Sequence, residues 1–442
     1  MKTPNAQERV VVTGMGAVCP LGHDVETLWG ALLAGRSGAG KTTIFDASTF
    51  PTTFDAEVKG YDFRKHLRHP ELHAGCSRGS GFVVGATVQA CKQARIETET
   101  TQPTDGIDRT RLGVYLGAGE GSVDNDCFFA SIVAGWDPQQ QRIEWPRCTR
   151  VAVDGMKAVR ELEQEPNMAV SHTAVLTGAR GPVRSCLTAC AASTQAVGEA
   201  TMLIRRGLAD IIVAGGAHSM IHPLGITGFN LLTALSQRND SPETASRPFS
   251  GSRDGFVIGE GAAILILESL TSARKRGVPI LAEIAGYGST SDAFRVTDMH
   301  EEGRGAVQAM QAALADAGLT PQDIDYVNTH GTSTAENDSI ETLAIKTVFK
   351  DRAKQVAVSS IKSMLGHLIG AAGAAEIITS VLAIRDNIVP PTMNLQDPDP
   401  KLDLDYVPNV PRKMPVNTVM KESFGFGGQN NVVIVKRFRE EA

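Results

Sequence analysis

Short apolar runs alternate with stretches of helical period along almost the whole chain. Residues 9–13, 112–116, 211–214, 262–267, 326–328, 356–359 and 431–436 are largely Val, Ile, Leu and Ala, and predict buried strands. Residues 26–34, 81–94, 194–206, 305–317 and 371–385 repeat apolar side chains every three to four positions and predict helices. Several of these close on glycine, as at Arg206-Gly207, Arg276-Gly277 and Ala317-Gly318. Strand and helix in steady alternation predict an α/β protein.

The pattern also repeats. Val183-Arg-Ser-Cys-Leu-Thr-Ala-Cys190 leads into a small-residue helix, then Arg205-Arg-Gly, then the strand at 211–214. Val356-Ala-Val-Ser-Ser-Ile-Lys362, followed by Gly366-His367, leads into another small-residue helix, a turn at Arg385-Asp-Asn and an extended segment at 388–391. The strand and glycine turn at 111–117 likewise parallel those at 325–331. A duplicated α/β unit would set Cys190 and the 362–367 segment at pseudo-equivalent places, facing one another. The basic, Gly/Pro-marked stretch 273–279 suggests two halves, 1–275 and 276–442. Residues 96–110 predict an exposed loop, and 136–166, which mix charge, a Gln run and one helical stretch near 159–164, predict an excursion from the core sheet.

Composition narrows the class. At 442 residues and 42% hydrophobic, the chain can bury a large core. A net charge of −6 leaves no footprint for nucleic acid or an anionic membrane surface. No run reaches the about 18 apolar residues of a membrane span, and the polar start at 1–9 lacks a signal-peptide apolar stretch. Seven scattered cysteines fit free thiols in a reducing cytoplasm. Cys186 and Cys190 lack the paired Cys/His company of a zinc site.

Two glycine motifs fail on context. Gly35-Arg-Ser-Gly-Ala-Gly40-Lys41-Thr42 matches the phosphate-loop pattern, but a helix precedes it and Thr43 to Pro51 cannot start one. Gly117-Ala-Gly-Glu-Gly121 follows a strand but lacks the spacing of a dinucleotide turn. Three other segments carry chemistry. Thr188-Ala-Cys190-Ala-Ala-Ser193 puts a thiol at a helix start, where dipole and free N–H groups favour a thiolate and can bind an oxyanion. Asn328-Thr-His330-Gly-Thr-Ser-Thr334 puts an imidazole just past a strand, where α/β sites lie. Lys362-Ser-Met-Leu-Gly-His367 adds a second imidazole and an ammonium that needs a partner, Glu341 and Asp338 being the nearest in sequence. Ser423-Phe-Gly-Phe-Gly-Gly-Gln-Asn430 predicts a flexible loop with two aromatic stoppers.

In family order, further pieces stand at Val11-Val-Thr-Gly-Met-Gly, Ser246-Arg-Pro-Phe, Arg253-Asp-Gly-Phe-Val-Ile-Gly-Glu-Gly261 and Ser363-Met-Leu-Gly-His-Leu-Ile-Gly-Ala-Ala-Gly373. With the three segments and Phe424-Gly-Phe-Gly-Gly, the chain resembles the β-ketoacyl-acyl carrier protein synthases of the type II system, synthase II branch. The resemblance implies a thiolase-like fold of duplicated halves in five layers, α-β-α-β-α, as a cytoplasmic homodimer. It implies decarboxylative Claisen condensation of an acyl thioester on Cys190 with malonyl-acyl carrier protein, in fatty acid elongation or, alternatively, a specialised fatty acid or polyketide pathway. His330 and His367 would stabilise the enolate and the thioester oxygen, while Lys362 and Glu341 orient them. The N–H groups of Cys190 and Phe426 would form the oxyanion hole, with Phe426 and neighbouring Phe424 as gate. Thr332, Thr334 and Phe229 would bind substrate. No metal or cofactor is implied, the substrates being carried on phosphopantetheine, and Arg147 and Arg150 are candidates for docking the acidic carrier.

The chain departs from the family pattern from about 127 to 183, in 72–82 and at Gln429, so chain-length preference is expected to lie in the divergent stretch. A silent chain-length-factor partner would lack the cysteine present here. A nucleotide-binding protein would use residues 35–42, and a thiolase a second cysteine late in the chain, where this sequence has none beyond Cys190.

Overall fold

The computed structural model describes residues 8–440 apart from 120 and 122. Ten strands carry the fold: β1 (Val10–Val18), β2 (Leu112–Gly117), β3 (Val183–Cys186), β4 (Ile211–His218), β5 (Gly261–Ser269), β6 (Ala282–Ser291), β7 (Tyr326–Asn328), β8 (Ala357–Ser359), β9 (Thr418–Gly425) and β10 (Gln429–Lys436). They hydrogen-bond in the order β8-β7-β9-β10-β6-β1-β5-β4-β2-β3. The seam is β1 against β6, antiparallel from Val10↔Ile284 to Val12↔Ala282.

Outward from that seam the halves are copies. β1-β5-β4-β2-β3 on one side answers β6-β10-β9-β7-β8 on the other. The inner pairs of each half are antiparallel. The outer pairs are parallel. Parallel neighbours need crossover connections, and helices supply them. Helix α1 (Arg78–Gln93) packs on β1 and β5, while α4 (Arg304–Ala317) packs on β6 and β10. Two more helices occupy the middle: α2 (Ala192–Arg205), between β3 and β4, and α6 (Ala372–Asp386), between β8 and β9. Each touches strands of both halves, and they touch one another. The result is the five-layer α-β-α-β-α arrangement of a thiolase-like fold.

Middle-layer helices are nearly enclosed, α2 keeping a partly exposed stripe at Gln195, Glu199, Met202 and Arg205, which explains their composition. Every residue of α6 but Arg385 and Asp386 is buried, and Ala, Gly, Ser and Thr let it approach strands of both halves. The largest hydrophobic cluster joins α2 and α6 to Val10, Leu265, Val419 and Val435, so both halves share one core. Separate clusters lie under α1 and under α4.

Each predicted strand and helix is present, with ends moved by a few residues. The periodicity passes over β3, β6 and β9, because β3 is short and half-exposed, whereas β6 mixes Gly, Ser and Thr with few apolar residues. Segment 136–166 leaves the main sheet, as a two-strand hairpin (Trp136–Asp137 with Arg142–Ile143) and helices Trp145–Gly155 and Ala158–Leu162, more regular than its composition suggests. The phosphate-loop pattern forms no such loop. Gly40 and Lys41 pair with Phe54 and Asp55 in a small hairpin, and no helix follows.

The duplication places the reactive turns more finely than the sequence does. Ala189, at φ 47°, opens the turn into α2, and Ile369, at φ 46°, opens the turn into α6. Cys190 therefore answers Gly370, three residues beyond His367.

Gly117 ends β2 where the start of α2 crosses it, and a β-carbon there would lie 2.4 Å from Ala192 C and Ser193 N. Gly117→Ala is expected to cost about 1–3 kcal/mol, read as a lower denaturation midpoint, and to displace the turn holding Cys190.

Candidate active site

Three structural ends converge on one point. Cys190 sits in the short 3-10 turn Ala189–Ala191 that runs into α2. His330 follows β7, and His367 follows the single helical turn Lys362–Leu365 before α6. All three are buried, and the Cys190 sulfur and one nitrogen of each imidazole lie within 4.8 Å of one another. The two rings meet edge to face, with centroids 5.3 Å apart. Phe424 packs edge-on to His330 at 6.0 Å and Phe256 edge-on to His367 at 5.2 Å, which fixes both rings.

Donors select the tautomers. Lys362 Nζ lies 3.4 Å from His330 Nδ1 and donates to the His330 carbonyl at 2.6 Å. The Ile369 N–H donates to His367 Nδ1 at 3.3 Å. Each Nδ1 is thus an acceptor, and each Nε2 carries the hydrogen. His367 Nε2 has no partner among the described residues. Burial first, and the Lys362 charge second, hold both imidazoles well below their ordinary pKa, so they stay neutral. Two neutral N–H donors face the thiol.

This geometry opposes a metal ion, although the spacing of Cys190, His330 and His367 would admit one. A ligating imidazole donates its second N–H to an acceptor. Here the second nitrogens face Lys362 and the Ile369 N–H, which have nothing to accept with.

Lys362 is itself buried, and its partner is Glu376 of α6, through Oε1. This corrects the expectation of Glu341 or Asp338, which are near only in sequence. Glu376 Oε2 pairs with Lys421 at 2.9 Å. Glu341, on α5 (Ala335–Phe349), touches no imidazole nitrogen. Its oxygens accept from the backbone N–H of His330 at 2.6 Å and of Gly331 at 2.7 Å, so it shapes the turn rather than the ring. Asp338 serves the same loop, accepting from Ser333 N–H at 3.2 Å and Phe249 N–H at 2.8 Å. Glu376 and Lys421 were missed. A lone Glu in an otherwise small and apolar helix was the available signal, since a buried charge requires a partner.

Around the sulfur, burial pushes the Cys190 thiol up to about 12, while Lys362 and the N–H groups of Cys190 and Phe426 pull it down. Burial dominates, so the resting group is a thiol and not the thiolate its helix-start position suggested. Both N–H groups nevertheless lie near enough to the sulfur to favour negative charge on it. Gly425 permits this approach: a β-carbon there would sit 2.9 Å from the Thr188 carbonyl and 3.3 Å from Cys190 N.

Cys190 lines two cavities. One, of about 390 Å³, holds His330, His367, Thr332, Thr334 and Phe424, with Arg253, Asp298 and Glu336 also in its walls. Thr332 and Thr334 join hydroxyls there at 2.9 Å. The other, of about 550 Å³, is apolar, with Leu187, Met220, Leu224, Phe229 and Ile369 in its wall. Phe229 and Leu224 belong to α3 (Pro223–Leu231), and Phe426 lines both spaces. Arg147 and Arg150 stand apart from both, exposed on helix Trp145–Gly155.

Duplicated halves presenting one thiol and two neutral imidazoles at a neck between cavities define a thiolase-fold condensing enzyme. The chain belongs to the β-ketoacyl synthase family: the N-terminal domain model of that family matches residues 7–273 and the C-terminal one residues 281–396. It is 42% identical to a 3-oxoacyl-[acyl-carrier-protein] synthase 2 of Coxiella burnetii, over 98% of this chain and 99% of that one. It is 41% identical to the Synechocystis protein of the same name, with the same coverage. Among solved structures it is similar to a ketosynthase complexed with its type II polyketide acyl-carrier protein and bound to a hexaketide, at TM-score 0.84 and 34% identity, covering 98% of this chain and 100% of that one. A β-ketoacyl synthase from Burkholderia phymatum matches at TM-score 0.85 and 32% identity, with the same coverage.

The depressed imidazole pKa values set a pH dependence of stability. The unfolded chain binds these protons from about pH 6.5 and the folded chain only at lower pH, so stability falls as pH drops below that value. The expected slope is up to about 1.4 kcal/mol per pH unit for each histidine, measured by denaturant titration between neutral and mildly acid pH. Replacing His330 with Gln should flatten it.

Proposed function

We propose that this protein is a 3-oxoacyl-acyl carrier protein synthase, extending a Cys190-bound acyl chain by decarboxylative condensation with malonyl-acyl carrier protein in fatty acid elongation. The observation that carries this reading is the pair of Nε2–H imidazoles beside a thiol that two backbone N–H groups address.

In the first half-reaction the Cys190 sulfur attacks the acyl thioester carbonyl. The tetrahedral oxyanion rests on the N–H groups of Cys190 and Phe426, preorganised and shielded from water. Collapse expels the phosphopantetheine sulfur, which takes the thiol proton, and leaves the acyl chain on Cys190. Its tail fits the apolar cavity beside Phe229. In the second half-reaction malonyl thioester lies in the other cavity, its pantetheine arm along Thr332 and Thr334. Loss of CO2 leaves its electron pair as an enolate, whose oxygen receives the Nε2–H of His330 and His367. The enolate carbon attacks the Cys190 thioester, the carbon–sulfur bond breaks, and the released thiolate takes up one proton. Lys362 aims His330 and Glu341 holds its turn, whereas Phe426 gates passage between the cavities, packed beside Phe424. Nothing in this sequence calls for a metal or further cofactor.

Carrier protein supplies both substrates, with Arg147 and Arg150 as proposed docking cations. A homodimer in the cytoplasm completes the proposal. Strand β3 has a neighbour on one side only, leaving a strand edge with half-exposed Val183 and Leu187 beside it. The described cysteines are all free thiols, as a reducing compartment keeps them. No helix among the described residues is long and apolar enough to cross a membrane. We divide the halves at 275/276, just before Gly277 ends helix Leu270–Arg276.

Intact mass after incubation with acyl-carrier protein should show one acyl adduct, absent in Cys190→Ala; an adduct surviving that change refutes the assignment. His330→Ala should slow CO2 release from malonyl-carrier protein by about 10²–10³-fold, as for removal of one such donor. Phe229→Ala should shift acylation toward longer chains, compared across a series of acyl-carrier proteins.

A further inference from the structure

The catalytic reading uses one buried ammonium, Lys362, but the site holds two. Lys421 is fully buried on β9, and its Nζ forms an ion pair with Glu376 Oε2 at 2.9 Å and donates to Ser423 Oγ at 3.0 Å. Glu376 is therefore clamped between two ammonium groups, Lys362 on one oxygen and Lys421 on the other. Ser423 Oγ in turn lies 2.8 Å from Thr194 Oγ1, on the first turn of α2 just past Cys190. One side chain thus ties the histidine arm of one half to the nucleophile's helix in the other.

Burying a second ammonium is unfavourable unless its charge is matched. The groups around His330 and His367 match it. Lys362 and Lys421 face Glu376 and the neighbouring pair Glu341 and Glu422, whose carboxyls burial raises above the ordinary range, Glu422 the further of the two because Glu341 lies beside it, which favours one shared proton on the pair. His218 and Cys190 face the imidazoles from β4 and the turn into α2. Without Lys421 the balance becomes negative, and Glu376 is free to rotate toward Lys362 alone.

We propose that Lys421 is a positioning residue for the condensation, pinning Glu376 so that Lys362 stays aimed at His330 while the imidazoles remain neutral donors. The proposal rests on the function given above. It assigns Lys421 to the enolate step and not to acyl transfer, which relies on the N–H groups of Cys190 and Phe426. Both imidazoles lie within the field of Lys421, which adds to the depression of their pKa. Loss of that positive charge therefore raises the pH at which they protonate.

The test separates the half-reactions in Lys421→Met and Lys421→Gln, the latter retaining an amide that can reach Glu376 and Ser423. Acylation of Cys190 is followed by intact mass, and CO2 release from malonyl-carrier protein is followed against pH. Expected are acylation within about twofold of the unmodified chain, CO2 release at least about tenfold slower at neutral pH, and an acid limb displaced upward by about one pH unit, a difference in the field felt by the imidazoles. Lys421→Arg should return the limb toward its original place. An equal fall in both half-reactions with an unmoved acid limb, or no change in either, overturns the proposal. Failure of both neutral variants to fold overturns it too, by assigning Lys421 to the fold alone. If the unmodified chain fails to acylate Cys190, the functional reading falls instead, so the two failures are distinct.

Discussion

Everything at this site depends on how closely the two middle-layer helices approach one another. A β-carbon on Gly373 of α6 would lie 2.0 Å from the Thr194 hydroxyl of α2, and one on Gly216 would lie 2.8 Å from the Gly370 carbonyl. Such contacts leave no room for larger side chains, which is why both helices open on small residues. Because the halves are copies, the tight crossing also brings two equivalent turns together. One was given a cysteine. The other has glycine at that place and holds its histidine three residues earlier.

The crossing explains the electrostatics as well. The reactive side chains are buried beside the two middle-layer helices, so charge is expensive there and directional hydrogen bonds are strong. Burial keeps the thiol protonated and the imidazoles neutral. The ammonium groups survive only because Glu376 sits between them. Neutral N–H donors suit this chemistry: they stabilise an oxyanion when it forms and place no permanent charge on the substrate-facing wall. The same burial discourages water from intercepting the thioester or the enolate.

Sequence and structure agree where chemistry is local and part company where it is not. Cys190, His330 and His367 were legible because each lies at a strand-to-helix change within small residues, and the duplicated pattern told which turns face one another. The pairing of Lys362 was not legible, because nearness in sequence pointed to Glu341 while the fold brought in Glu376 from a different helix. Lys421 and Glu422, adjacent charged residues before a glycine loop, look like a solvated strand end, yet both are fully buried. Strand β6 escaped because its buried face, Ala282, Ile284, Gly286 and Gly288, holds a single large apolar side chain. The excursion at 136–166 showed its departure from the sheet and the helical stretch near 159–164, but not the helix Trp145–Gly155, which is short and leaves Trp145 and Val153 exposed.

The two cavities impose an order on the reaction. Cys190 lines both the polar space of Thr332 and Thr334 and the apolar space beside Phe229, so in the proposed reaction the acyl chain passes from the first to the second at its sulfur. With the proposed seat of the pantetheine arm along Thr332 and Thr334, an acyl arm and a malonyl arm cannot both be bound. The first carrier must therefore leave before the second binds, and the chain must already be stored on the sulfur in the apolar space. Phe426 borders both cavities, so with its proposed roles as gate and oxyanion donor, any movement of its loop that opens the way also displaces that N–H. Opening and chemistry are thereby mutually exclusive at a single backbone position, which keeps the thioester from being attacked before its partner is seated.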